Sequence, residues 1–202
     1  MIHLYGDSHA NCSFKHLTIP HINHHQPSIT MFRIGRDNII INYNTNEHNI
    51  DSIICCVYGE VDCRCHIQRQ IDLGKEEDHV IEELVRAYFI TLNNNIRAHK
   101  KVIIVGVIPP TRRMDYEIVH GPIKHEFPFV GTDEARARYT KKINNMINKL
   151  CIQYEYIYFN PYKYYEREDG TLDYKYADGI VHLGNNSFFL EQFIKLYHTI
   201  HT

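Results

Sequence analysis

The sequence contains no tryptophan, only 10 glycines and 7 prolines in 202 residues, and no Gly/Ser block that could serve as a linker. These gaps exclude a collagen-like or low-complexity chain. No repeat or composition break marks a second unit, so 1–202 is expected to form a single domain. Charge of one sign is also missing: 22 Lys plus Arg oppose 24 Asp plus Glu, for a formal net charge of -2. No nucleic acid or other polyanion is therefore an expected partner. No uninterrupted apolar run approaches the roughly 18 residues of a membrane span, and the start MIHLYGDSHANC lacks the basic and apolar regions of a leader. The expectation is a soluble, cytoplasmic protein with no membrane partner. With 44% apolar and 23% charged residues, the chain has the usage of a globular core rather than of disorder. Its oligomeric state is left open.

What the sequence has in quantity is 15 His, 15 Tyr and 6 Cys, which raises the question of metal. Cys55 and Cys56 lie inside the apolar run Ile53-Ile54-Cys55-Cys56-Val57-Tyr58, where adjacent side chains of a buried strand point to opposite faces. Cys63-Arg64-Cys65-His66 is more suggestive, but no second half with zinc-like spacing accompanies it. His21, His24 and His25 fall in a polar stretch between Pro20 and Pro27 and read as a solvated loop. Neither a metal nor another cofactor is expected.

Short apolar runs recur. Ile2–Tyr5, Thr30–Ile34, Asp51–Tyr58, Lys101–Ile108 and Glu155–Phe159 read as strands. Between them lie helical periods. Val80, Leu84, Tyr88, Leu92 and Ile96 recur every fourth residue, flanked by Ile81, Val85 and Phe89. A second helix is expected after Thr132 as its N-cap, with Asp133 and Glu134 in the first turn, and a third after Ser187. Strands separated by such helices cannot be joined by hairpins, which predicts an α/β fold with a parallel sheet covered on both faces. The stretch from Thr111 to Gly131 has no clear period and is expected to overhang the site as an irregular segment.

In an open parallel sheet, ligands bind beyond the carboxyl ends of the strands. The first strand ends in Gly6-Asp7-Ser8-His9, the third in Gly59-Glu60-Val61-Asp62-Cys63-Arg64, and the fourth in Pro109-Pro110-Thr111-Arg112-Arg113. A glycine ahead of Ser8 permits a tight turn that exposes the hydroxyl, although a serine after a strand is more often a helix cap. Late in the chain, Ala177-Asp178-Gly179-Ile180-Val181-His182 offers an imidazole and a carboxylate. A serine hydroxyl needs just such a base, held by an acceptor, to become a nucleophile. His9 reads as a cap or a wall residue. Arg112, Arg113 and Arg136 read either as contacts to an acidic substrate or as ion-paired surface groups, and the tyrosines from Tyr154 to Tyr176 either as a stacking surface or as structure.

Gly6-Asp7-Ser8, Gly35 within Arg33-Ile34-Gly35-Arg36-Asp37, Gly59-x-x-Asp62 and the late Asp-His pair together resemble the ordered blocks of the SGNH, or GDSL, hydrolases, across nearly the whole chain. The resemblance implies a flavodoxin-like three-layer α/β/α sandwich with a central parallel sheet of about five strands. It further implies Ser8 as nucleophile, His182 as base and then acid, Asp178 as its orienting acceptor, and the backbone N–H groups of Ser8 and Gly35 in the oxyanion hole. Two departures stand out. Val61 occupies the place of an oxyanion-donating Asn, which makes Arg64 the candidate replacement donor; an alternative reading has Arg64 bracing the loop through Glu60 or Asp62. Asp178 and His182 are four residues apart where the family has three, which keeps Asp173 open as the acid. Glu60, Asp62 and Arg112 are candidate substrate contacts. The string Gly-Glu-Val-Asp-Cys-Arg resembles a variant branch of the family often found beside glycan-biosynthesis functions. The implied activity is a serine esterase acting on a small-molecule or glycan acyl ester. An acyltransferase on the same site and a non-catalytic glycan-binding domain are the alternatives.

Overall fold

The computed structural model describes residues 1–38, 52–96, 101–124 and 127–200. Five strands form one all-parallel sheet: β1 (Ile2–Gly6), β2 (His21–His25), β3 (Ile53–Val57), β4 (Lys101–Val105) and β5 (Ile157–Phe159), in the order β2-β1-β3-β4-β5. Seven helices flank it among the described residues: α1 (Ser8–Ser13), α2 (Met31–Asp37), α3 (Ile67–Asp72), α4 (Glu77–Ile96), α5 (Arg113–His120), α6 (Asp133–Gln153) and α7 (Ser187–Thr199). This is the flavodoxin-like arrangement, and its order reverses between β1 and β3. None of the described helices is long and apolar enough to cross a membrane.

Strand alternation builds two cores. Ile2, Leu4, Ile53, Cys55, Ile103 and Val105 face α1 and α7, packing on Phe14, Phe189 and Phe193. Tyr5, Ile54, Cys56, Val102 and Ile104 face the other way, toward Leu84, Val85 and Phe89 of α4 and Ile143 and Ile147 of α6. Cys55 and Cys56 thus enter opposite cores, as period-two geometry requires. Burial pushes the Cys56 thiol up to about 12, so it packs as a small apolar group. Thr132 caps α6 by accepting the Ala135 N–H, as its position predicts.

Three expectations are corrected. Thr30–Ile34 is not a strand: Thr30 accepts the Arg33 N–H and starts helix α2, while the Asp62 carboxylate accepts the Met31 and Phe32 N–H groups at 2.9 and 3.0 Å. Two caps overrule the β-propensity of a five-residue run. The histidine stretch is not a loop but β2, a sheet edge. An edge strand pairs on one side only, so polar side chains can face solvent. His24 fastens it, stacking on Tyr5 at 4.4 Å and meeting His3 Nδ1 through Nε2 at 3.0 Å. The stretch from Thr111 to Gly131 is not wholly irregular, since α5 lies within it.

Candidate active site

The β1/β3 switch point opens into a cavity of about 330 Å³ lined by Asp7, Ser8, His25, Ser28, Val61, Arg64 and His182, with Tyr116, Ile123, Phe127, Ile180 and Val181 forming an apolar wall. Ser8 reaches it because β1 turns sharply into α1. A Cβ on Gly6 would lie 2.5 Å from Ala10 Cβ and 2.6 Å from the Val57 carbonyl, so only glycine permits that approach. Asp7, not Ser8, is the N-cap, accepting the His9 N–H at 2.9 Å. The Ser8 hydroxyl is therefore left for the cavity.

There it meets His182 Nε2 at 2.9 Å, while His182 Nδ1 meets Asp178 Oδ2 at 2.8 Å. The four-residue spacing is accommodated by a turn. Gly179 adopts φ +92°, and Asp178 Oδ1 accepts the N–H groups of Ile180 at 2.9 Å and His182 at 3.2 Å. The carboxylate thus holds the loop with one oxygen and the imidazole with the other. Asp173 is engaged elsewhere: it caps a short turn at the Lys175 N–H and pairs with the Lys175 ammonium at 2.7 Å. Burial opposes a charge on His182, but the hydrogen bond it donates to Asp178, with Cys12 close by, outweighs it and pushes the imidazole up to about 10. Asp178 is correspondingly held below the usual carboxylate range: burial raises it, and the hydrogen bond to His182 more than offsets this.

Beside this chain of contacts lies a buried one. His9 Nε2 meets Glu60 Oε2 at 2.9 Å, and Glu60 accepts from Arg64 Nε at 2.9 Å. Arg64 Nη1 donates to the Phe127 carbonyl at 2.5 Å. Neither Arg64 bond uses Nη2. Burial raises Glu60, yet the charges of Arg64 and His9 hold it well below the ordinary range. Asp62 has no such cation against it, and burial pushes it up to about 7 despite its two backbone N–H bonds. The His9 ring stands edge-on to His182 at 4.6 Å.

The structure therefore brings Ser8, His182 and Asp178 together and sorts the remaining candidates. Arg64 both braces the loop and borders the cavity. Gly35 does not reach it: it lies inside α2 against α4, where a Cβ would be 2.8 Å from Ala87 Cβ, and its N–H belongs to the helix ladder. Glu60 and Asp62 are buried and committed to His9, Arg64 and the start of α2, so neither is placed to contact a substrate. Arg112 pairs with Asp169 on the surface, outside the cavity lining. Arg136 is buried against the Gly131 carbonyl and Asp133, and Arg113 pairs with Glu117 at 2.7 Å. Of the tyrosines, Tyr162 bonds Ser13 at 2.9 Å and Tyr165 accepts the Phe189 N–H at 2.8 Å, both structural. The segment expected to overhang the site supplies Tyr116, Ile123 and Phe127 to the cavity lining, although the sequence singled out neither these residues nor Ser28. Only Ser28, at φ +62° and following Pro27, carries a local signal. Cys63 and Cys65 are buried, and the three potential metal ligands that do converge among the described residues are Cys12, Asp178 and His182.

No protein-family profile and no curated protein matches the sequence. Solved structures do. A Streptococcus pneumonia protein assigned as a platelet activating factor matches with TM-score 0.64 at 14% identity, over 97% of this chain and 82% of that one. A GDSL-like lipase from Bacteroides thetaiotaomicron matches with TM-score 0.57 at 15% identity, over 98% and 88%. A Bacteroides fragilis protein assigned as an acylhydrolase matches with TM-score 0.53 at 13% identity, over 98% and 85%. At these identities the likeness shows the fold, which this chain shares over almost its whole length.

Proposed function

We propose that this chain is a serine esterase that removes an acetyl or other short acyl group, with a carbohydrate as the alcohol. The observation that supports this reading is the unbroken run of contacts from Asp178 through His182 to Ser8, 2.8 and 2.9 Å long and open to a cavity. His182 Nε2 takes the hydroxyl proton as Ser8 Oγ attacks the acyl carbonyl, and Asp178 stays ionised to stabilise the imidazolium. The proton passes to the departing alcohol, leaving an acyl-Ser8. Water activated by His182 then releases the acid and restores the serine.

The oxyanion needs donors aimed at the cavity. The Ser8 N–H, in the first turn of α1, has no carbonyl one turn behind it and is one. Val61 lines the cavity but cannot donate, and a missing donor costs about 2.7–4 kcal/mol in barrier. Arg64, held by Glu60 and Phe127 with Nη2 uncommitted, supplies the replacement. Two further points support the substrate class. A cavity of about 330 Å³ lies at the small end for ligand sites and suits a short acyl group. Tyr116 offers a ring for a sugar face, with Ser28 and His25 as polar edges. The names of the structural neighbours, a GDSL-like lipase and an assigned acylhydrolase, favour ester chemistry.

The test is turnover of p-nitrophenyl acetate and acetylated sugars by the wild type and by Ser8→Ala and His182→Ala. Rapid turnover by the wild type, lost in both variants, is expected; full activity in either variant removes the assignment. Product analysis with added sugars distinguishes water from a hydroxyl as the acyl acceptor.

A further inference from the structure

Five of the six cysteines are buried, and Cys12 alone is partly exposed. It follows Ser8 by four residues in α1, so both side chains share one helix face and border the same imidazole. The Cys12 sulfur, an Asp178 carboxylate oxygen and a His182 ring nitrogen lie within 4.8 Å of one another, the only such trio of His, Cys, Asp or Glu among the described residues. The proposed hydrolysis gives Cys12 no task, and its sulfur belongs to neither core cluster.

Thiolate, imidazole and carboxylate form a donor set for borderline-soft divalent cations, and three protein ligands leave a fourth position for water. With metal–nitrogen and metal–sulfur bonds of roughly 2.0 and 2.3 Å, tetrahedral ligand atoms stand about 3.5 Å apart. The present separations, up to 4.8 Å, are wider than this, so binding draws the three ligand atoms together.

We propose that Cys12, Asp178 and His182 form a site for a thiophilic divalent cation of the zinc type, and that its occupation switches the serine off. The metal takes the imidazole nitrogen that Asp178 otherwise holds. Binding displaces the Cys12 thiol proton and, from the doubly protonated His182 ring, the one proton facing Asp178, both released to solvent, so the imidazole ligates in its neutral form with no change of oxidation state. His182 then lacks its orienting acceptor and its charge-stabilising partner, so it no longer serves as a base. The metal site rests on the three ligands alone, whereas the inhibition rests on the esterase reading.

The experiment is a Zn²⁺ titration of purified wild type, Ser8→Ala, Cys12→Ala and Cys12→Ser by calorimetry, with Co²⁺ absorption as a second readout and esterase activity followed in parallel. Wild type and Ser8→Ala are expected to bind one Zn²⁺ with matching affinity and to show a thiolate-to-cobalt charge-transfer band. Both Cys12 variants are expected to lose that band and to bind more weakly by at least the roughly 10- to 100-fold that even an outer-sphere partner costs. Wild-type turnover should fall along the same zinc curve and recover with EDTA, while whatever turnover each Cys12 variant has without zinc should not change when zinc is added. Equal affinity in the Cys12 variants, or no charge-transfer band in the wild type, overturns the site. Cys12-dependent binding without any esterase activity upholds the site and removes the esterase reading instead.

Discussion

Two imidazole–carboxylate pairs sit with their rings 4.6 Å apart, and they do opposite things. His182–Asp178 spans 2.8 Å with side chains 14% and 24% exposed, whereas His9–Glu60 spans 2.9 Å with both at 4%. The chemical pair is the same; the third partner and access to solvent differ. His182 presents its far nitrogen to a serine hydroxyl at the cavity, so a proton has somewhere to go. Glu60 is shared with a guanidinium, and the far nitrogen of His9 is buried without a hydrogen-bond partner. A proton leaving that pair would strand charge in a low-dielectric interior. The open pair is therefore suited to chemistry, and the closed one to holding the ends of β1 and β3 together and aiming Arg64.

That contrast can be broken from either side. The largest effect is expected at the open pair: Ser8→Ala and His182→Ala should each lower kcat/KM by at least about 10³-fold in steady-state assays, with the unfolding midpoint of Ser8→Ala near wild type. Next comes the closed pair. Glu60→Ala strands Arg64 and His9 in the interior and should cost about 3–5 kcal/mol of stability in denaturant titrations, while the remaining folded protein loses at most about 2.7–4 kcal/mol in barrier, that of the one oxyanion donor that Glu60 aims. A catalytic collapse without loss of stability would reverse the assignment of the two pairs.

Asp178→Asn is expected to lower kcat by roughly 10²-fold and to move its pH dependence. In the wild type, kcat/KM should rise with pH as His182 loses its proton, with an inflection above the ordinary imidazole value and toward about 10. In Asp178→Asn the hydrogen bond to the carboxylate and its charge are gone while burial and Cys12 remain, so the inflection should fall back toward the ordinary imidazole value. The same linkage gives the sign for stability. The contribution from His182 is complete below pH 6.5 and lost as the pH rises toward about 10. An unmoved inflection would exclude Asp178 as the partner. The smallest effects are expected at Asp173→Asn and Arg112→Ala, whose partners are surface ions. Each should stay within about 0.5 kcal/mol in stability and leave kcat/KM unchanged.

Much of the scaffold was legible locally. β3 and β4 announce themselves as apolar runs, α4 as a four-residue period and α6 through its Thr132 cap. β2 could not be read this way, because His-Ile-Asn-His-His lacks an apolar pattern and becomes a strand only by pairing with β1 at the sheet edge. In α2, five residues are too few to separate a helical from a strand period, and the decisive cap, Asp62, comes from 31 residues away. Gly35 shows the same limit, since whether a glycine serves a turn or a helix contact depends on what packs against it. Within the site, Ser8 and His182 carried signals in their own neighbourhoods. The apolar wall of Tyr116, Ile123 and Phe127 lies in the segment expected to overhang the site, but no residue-level signal picked these three out, because the wall takes shape only when the segment around α5 folds over the cavity.

The sequence by itself determined the class of fold and the chemistry available to it, because periodicity, caps and turn residues act between near neighbours in the chain. It also made Ser8 and His182 the candidates for nucleophile and base. Which carboxylate the imidazole would meet, which histidine would be sealed away, and that Cys12 would share His182 were decided by tertiary structure. Those outcomes depend on residues 7–12, 60–64 and 178–182 meeting at one switch point. Only the β2-β1-β3-β4-β5 order, with α1 and α7 packed on the same face, brings such distant segments within hydrogen-bond reach.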